Sequence, residues 1–183
     1  MEFSIGQFSG HSGGEPLRLF DVKFKEHYKS FILQSVIAAV CIFLVKILAG
    51  SISNITVVGS LGASTFIAFA MPRMNASRPR QLIGGYSIGS LCGLALNRAL
   101  LWHEASELQF LDLPPHALLG GVAVGLALFL MSVLNFAHPP AAALALTLVV
   151  ESNAFAYAGV AMLSIVFVSL VKQLLQGYLM DLL

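Results

Sequence analysis

Long apolar segments separated by short polar loops make up most of the chain after residue 29. Runs of about 20 apolar residues are typical of transmembrane helices. Residues 1–29 are instead polar and rich in Gly and Ser, and then alternate between apolar and charged, which predicts a cytoplasmic N-terminal segment before a transmembrane domain at 30–183. Within that domain, four segments predict full spans: Phe31–Gly50, Gln81–Trp102, His116–Asn135 and Ala154–Met180.

The region from Ala117 to Val150 contains no Asp, Glu, Lys or Arg and is too long to be one span. A single helix of that length would reach roughly 50 Å, whereas the hydrocarbon core of a bilayer is about 30 Å thick. Pro139 and Pro140 disfavour helical angles just before them and suit the first turn of a new helix. The sequence therefore predicts a break at His138 and a short second helix.

A similar interruption is predicted in the uncharged segment Ser51–Met71. Residues 53–60 are rich in β-branched side chains and end in Gly and Ser, which favours an extended stretch. A helix starting near Leu61 would follow, and the two parts together would cover roughly 35 Å, enough to cross the bilayer.

Each half of the chain then reads as a full span, a broken segment and a full span. Both third spans carry a basic residue beside an amide near their ends, Asn97-Arg98 in one and Lys172-Gln173 in the other. With three crossings per half, the second half runs opposite to the first. The predicted fold is an all-α membrane protein, a helical bundle of four full spans plus two broken or half-length helices in two inverted three-element repeats; if the broken segments re-enter, four full spans remain.

Composition and charge place this bundle in a membrane and orient it. The hydrophobic fraction is 57%, the charged fraction is 10%, and the mean hydropathy is +0.85. The net charge of +1 gives no sign of nucleic-acid binding. Basic residues precede the first span and fill the loop Pro72–Arg80, whereas the loop His103–Pro115 is acidic, so the positive-inside rule puts both chain termini in the cytoplasm.

The candidate chemistry is electrostatic. Lys46, Arg98 and Lys172 lie in or near spans, and no acidic residue lies in the segments 31–71, 81–102 or 117–150. Either these cations reach the headgroups from helix ends, or they attract an anion together with the partly positive N-termini of the two broken helices. His138 is either a packing residue or a ligand whose titration near neutral pH suits proton coupling. The candidate substrate-binding residues are Ser60, Gly62, Ser64, Thr65, His138, Pro139, Pro140, Arg98 and Lys172.

Other classes of function have little support in the sequence. The histidines show no metal-ligand spacing, and no nucleotide loop or nucleophile–base pair is visible, so we expect no metal, no cofactor and no enzymatic activity. Glycines at 84, 85, 89 and 93 invite close contact between helices. Together with the small interior expected for six short crossings, this predicts a homo-oligomer embedded in the lipid bilayer.

Three motifs resemble the HPP family of integral membrane proteins over roughly Lys29–Leu179: Gly59-Ser60-Leu61-Gly62-Ala63-Ser64, Pro79-Arg80-Gln81-Leu82-Ile83-Gly84-Gly85, and His138-Pro139-Pro140 followed by Ala141–Leu146. The resemblance implies a small membrane protein of the bacterial inner membrane or of plastids, usually with four spans, and for some members a link to nitrite transport. The chain departs from the family pattern at Tyr86, where a histidine is common, and at Ala141–Ala143, where many members have a glycine-containing run.

Two functions remain open at this point. The first is transport of a small inorganic anion, with nitrite as the best candidate, at a site formed by the two broken-helix N-termini. The alternative is a membrane protein that transports nothing and serves as a structural or regulatory partner, its helix breaks serving only packing.

Overall fold

The computed structural model describes residues 22–50, 55–106 and 115–183. Most of these residues are helical, and no strand occurs among them. A 3-10 turn at Asn75–Ser77 lies in the link between the second and third helices, which we call the arginine loop (residues 71–78). The helices are α1 Val22–Ala49, α2 Ile55–Ala70, α3 Pro79–Ser106, α4 Pro115–Val133, α5 Pro139–Val150 and α6 Ala154–Leu175.

Within the described residues, three helices are long and apolar enough to cross a membrane: Lys23–Ile47 of α1, and all of α4 and α6. These match three of the four predicted full spans. The fourth, α3, is 28 residues long and more polar. The two predicted half-length elements are present as the short apolar helices α2 and α5, of 16 and 12 residues.

Two predicted helix boundaries, the start of the first span and the end of the last, differ from the structure. Residues 1–21 of the predicted N-terminal segment lie outside the described residues, and 22–29 already belong to α1, which is kinked at His27. The last helix ends at Leu175 instead of Met180. The tail after it folds back, where the amide of Gln34 donates to Met180 O and Leu182 N donates to Ala70 O.

The predicted extended stretch before Leu61 is wrong for the described residues 55–60, which are helical. A helix satisfies its backbone groups internally, which matters more in an apolar environment than the modest β preference of Val and Ile. Other hydroxyl side chains on this helix donate about one turn back, from Ser60 Oγ to Val57 O and from Thr65 Oγ1 to Leu61 O. Consequently no helix N-terminus exists at Leu61.

Side-chain caps fix the relative directions of the helices. The amide of Gln34 in α1 donates to Phe69 O at the end of α2, so these two helices are antiparallel. Asn97, near the end of α3, donates to Val149 O at 2.9 Å and to Glu151 O at 3.0 Å, at the end of α5. The end of α6 lies at the arginine loop, where Lys172 contacts Ser77. The helices α2 and α5 pack against each other near the centre of the domain.

The glycine stripe of α3 is used inside the chain. A Cβ at Gly85 would lie 2.6 Å from His138 Cβ, and one at Gly93 would lie 2.7 Å from Ala145 O. Gly84 faces the ring of Phe136, and Gly89 faces the carbonyl of Ala141. These glycines therefore let α3 approach α5 and the turn before it closely. The stripe is used within the chain and gives no argument for a homo-oligomer, which stays a prediction.

Candidate functional site

The break between α4 and α5 lies where the prolines predict it. Asn135 has a left-handed backbone (φ 55), and Phe136 N donates to Met131 O, which ends α4. His138 has non-helical angles (φ −144, ψ 89) and precedes Pro139 in the first turn of α5. Its side chain is only 1% exposed, so the break places an imidazole in the protein interior.

The imidazole joins a chain of buried hydrogen bonds, which we call the His138 network: the side chains of Ser60, Ser64, Tyr86 and His138 with the carbonyl of Ala76. Ser64 Oγ lies 2.8 Å from both His138 Nε2 and Tyr86 Oη. His138 Nδ1 lies 3.0 Å from Ala76 O. All four side chains are at most 4% exposed. The break is thus tied to α2, to α3 and to the arginine loop.

The proton positions in a neutral network follow from the acceptors. A carbonyl only accepts, so the proton of a neutral imidazole lies on Nδ1 and Nε2 is an acceptor. Ser64 then donates to His138 Nε2 and accepts from Tyr86 Oη. Ser60 Oγ donates to Val57 O at 2.8 Å and offers Tyr86 a second acceptor at 3.4 Å. Every polar group of the network has a partner.

Only some of the predicted binding residues belong to this network. Ser60, Ser64 and His138 meet there, whereas the hydroxyl of Thr65, also buried, bonds its own helix. A Cβ at Gly62 would meet no atom within 4 Å, so this glycine is not needed for packing. Pro140 is buried and Pro139 is exposed at the start of α5.

The two remaining predicted residues are near opposite ends of α6: Arg98 of α3 is near its start, and Lys172 is in its last turn. Arg98 is exposed, and its guanidinium lies 4.9 Å from the ring centre of Phe155 in the first turn of α6. Lys172 is in the last turn, only 3% exposed, and its Nζ donates to Ser77 O at 3.0 Å and lies 3.3 Å from Ser77 Oγ. The reading of Lys172 as a residue that reaches the headgroups was therefore wrong.

Lys172 and the network hold neighbouring points of the arginine loop. Lys172 binds the carbonyl of Ser77, and His138 binds the carbonyl of Ala76. The hydroxyl of Ser77 bonds within the loop, with Pro72 O at 2.7 Å and Met74 O at 2.8 Å as its acceptors. The arginine loop is therefore fixed over the network from two helices.

The site has basic residues near it and no acidic contact among the described residues. Arg73 and Asp181 form an ion pair of 3.9 Å at the surface. No carboxylate in the described ranges lies within 4.0 Å of His138 or Lys172. The described residues also contain no group of three or more His, Cys, Asp or Glu side chains that could hold a metal ion.

The sequence did not indicate Tyr86 and Ser90 as site residues. Both lie on the face of α3 that carries Gly93 and Asn97, at spacings of four, three and four residues. Ser90 Oγ is buried and has no hydrogen-bond partner in the described part of the chain. Two signals were available for Tyr86: the histidine that is common at this position in the family pattern, and the helical register after Gly84-Gly85.

A sequence model of the transmembrane region of the HPP family matches residues 23–183. A transmembrane protein of Dictyostelium discoideum is 32% identical over 89 residues, which are 49% of this chain and 28% of that protein. The chain thus matches less than a third of the length of that relative. No solved structure matches the chain. The resemblance carried by the three motifs is confirmed.

Proposed function

Because the chain belongs to the HPP family of integral membrane proteins, we propose that it transports a small inorganic anion, with nitrite as the best candidate, through the His138 network. The observation that carries the proposal is a fully buried group of hydroxyls and an imidazole at a helix break, with no carboxylate of the described residues within 4.0 Å of the imidazole. A carboxylate in that position would repel an anion.

The donors in the network would suit a small anion that replaces one of their internal acceptors. Ser64, Tyr86 and His138 each carry an N–H or O–H group, and the N-terminus of α5 adds a partial positive charge. The second N-terminus of the original hypothesis is not available, because α2 begins at Ile55, nine residues and roughly 13 Å before Ser64. The proposed site therefore uses one helix N-terminus and the side chains of two neighbouring helices.

The route that we propose runs along the polar face of α3 and requires α3 and α5 to separate, because the glycines at 89 and 93 pack directly on α5. Tyr86, Ser90 and Asn97 lie on one face of α3, and Asn97 reaches the end of α5. The unpartnered hydroxyl of Ser90 offers an intermediate hydrogen-bonding position between the network and the exposed Arg98. Arg98 would concentrate anions at that end. Lys172 would act at the other end by holding the arginine loop closed.

We infer the finer architecture from the packing pattern. The helices α1 and α2 pack as α4 and α5 do, α3 packs on α5 as α6 packs on α2, and the two short helices run in opposite directions. This pattern supports an inverted repeat with six crossings, including α3. Basic residues at the arginine-loop end support cytoplasmic chain termini, and the family resemblance implies a bacterial inner membrane or a plastid membrane.

The alternative is a membrane protein without transport activity. It is favoured by the completeness of the His138 network, in which each side chain is satisfied internally and buried. Ser64 and His138 also have the spacing of a nucleophile and its base. However, the second imidazole nitrogen binds a carbonyl and not a carboxylate, and we still expect no enzymatic activity.

The test is anion uptake into proteoliposomes that contain the purified protein, with nitrite, nitrate, formate and chloride compared. Ser64→Ala removes the central hydroxyl of the network and should strongly reduce uptake. Ser164→Ala is the matched control, because Ser164 is also buried and bonds only its own helix, at Val160 O. Uptake equal to that of protein-free vesicles for all four anions would favour the alternative.

A further inference from the structure

We propose that each anion crosses this site together with one proton, and that His138 Nε2 is the atom that holds the proton. This inference rests on the proposed function, because it names a co-substrate for the same site. It is argued from the two hydrogen-bond arrangements that the network permits and from the charges around it.

The network can accept a proton on His138 without leaving a donor unpaired. In the neutral arrangement, Ser64 donates to Nε2. If Nε2 gains a proton, it becomes a donor toward Ser64 Oγ at the same distance of 2.8 Å. The hydroxyl hydrogen of Ser64 then turns to Ser60 O, which lies 3.0 Å away, and Tyr86 continues to donate to Ser64 Oγ. Nδ1 donates to Ala76 O in both arrangements.

The positive charge has no such compensation. From α2 the imidazole faces the neutral Ser64, and from α3 it faces the phenol of Tyr86. At the arginine loop, Lys172 of α6 binds the carbonyl next to Ala76, and Arg78 lies near Lys172. Asp181, which also lies at this end, pairs with Arg73, while α4 and α5 contain no acidic residue.

A buried cation without a counter-charge is strongly disfavoured, and an anion in contact with it removes most of that cost. An anion that reaches Nε2 takes the hydrogen bond that Ser64 would otherwise accept. Conversely, the neutral network has no donor to spare, since each one already has an acceptor. Proton and anion therefore bind together as a neutral pair. The proton enters from one aqueous side, rests on Nε2 during the crossing and leaves with the anion on the other side.

Transport of a neutral pair has an electrical signature. A pH gradient, acidic outside, should drive uptake of nitrite or nitrate into proteoliposomes, and the anion should bring protons that an internal pH dye records. A membrane potential set by potassium and valinomycin should leave the rate unchanged. Nitrate is included because its conjugate acid is strong and does not cross lipid as a neutral molecule. The leak of nitrite is measured in protein-free vesicles under the same pH gradient.

His138→Gln tests the assignment, because its amide can still accept from Ser64 and donate to Ala76 O but cannot hold a proton. We expect this variant to lose uptake driven by the pH gradient, and Ser164→Ala to keep it. Wild-type uptake that follows the membrane potential and carries no protons would overturn the inference and leave the proposed function intact. Absence of uptake of any anion would overturn both. The wild-type comparison decides the matter even if His138→Gln fails to fold.

Discussion

Gly85→Ala is expected to destabilise the protein although alanine is the better helix former. A Cβ at this position would lie 2.6 Å from His138 Cβ and 3.2 Å from Phe136 O, whereas ordinary contacts begin at 3.4 Å. Both obstacles belong to or adjoin the backbone, so they cannot rotate away. The break would have to move by roughly 0.8 Å, the difference between the first and last of these distances.

The expected cost combines three effects. Overpacking a core costs about 1–3 kcal/mol, and weakening the bond between Ser64 and His138 costs about 1 kcal/mol more. The intrinsic preference of a helix for Ala over Gly returns about 1 kcal/mol. The net change is a loss of about 1–3 kcal/mol in the free energy of unfolding, or roughly 2–12 °C in Tm for a chain of this size.

Gly121→Ala is the matched control, because Gly121 is also helical but a Cβ there meets no atom within 4 Å. This variant should be as stable as the wild type or slightly more stable. Thermal unfolding in one detergent, followed by far-UV circular dichroism, measures both variants. Equal melting temperatures for the two variants would refute the conclusion that His138 and Phe136 pack directly on Gly85.

Four further predictions follow from the structure. Tyr86→Phe should cost about 0.5–1.5 kcal/mol for one neutral hydrogen bond, measured against the exposed Tyr28→Phe. Lys172→Met should release the arginine loop and raise the rate at which trypsin cleaves it about tenfold or more, since a charged hydrogen bond contributes about 1.5–3 kcal/mol. An unchanged cleavage rate would contradict the role of Lys172 in holding this loop. Arg98→Gln should lower anion uptake mainly at low salt, because an exposed charge acts through a screened field. The mass in mild detergent should exceed that of the monomer if the chain is a homo-oligomer, which stays a prediction.

Sequence reasoning located the break at His138 because proline acts locally: its ring excludes helical angles before it whatever the surroundings. The same reasoning failed at Ile55–Val58, where the β preference of branched side chains is weak and the packed bundle decides the outcome. Gly62 was therefore assigned to a helix start that does not exist. Gly62→Ala is expected to be tolerated, because a Cβ at this position meets no atom within 4 Å.

Partners across the fold were beyond the reach of local patterns. A lysine near the end of an apolar span, such as Lys172, is typical of a residue at the membrane interface. Only the packing of α6 against the arginine loop reveals its contact with Ser77. The same holds for Tyr86, whose hydroxyl meets Ser64 across 22 residues of sequence. A lone cation or phenol in an apolar segment indicates that a polar partner exists, because the unpaired group is costly there, but not which partner it is.

The three sequence motifs acquire one physical reason in the structure. The first, Gly59–Ser64, supplies the two serines of the network, and the second, Pro79–Gly85, supplies the glycines on which the third motif rests. His138 can approach Ser64 only because Gly84 and Gly85 present no side chain to the turn before α5. A change in any one motif should therefore alter the same hydrogen bond, between Ser64 Oγ and His138 Nε2. Double variants that combine Gly85→Ala with Ser64→Ala should accordingly lose less stability than the sum of the single variants, since the second change removes a bond that the first has already weakened. Strict additivity of the two losses of stability would mean that the packing of His138 on Gly85 and the hydrogen bonds of the network act independently.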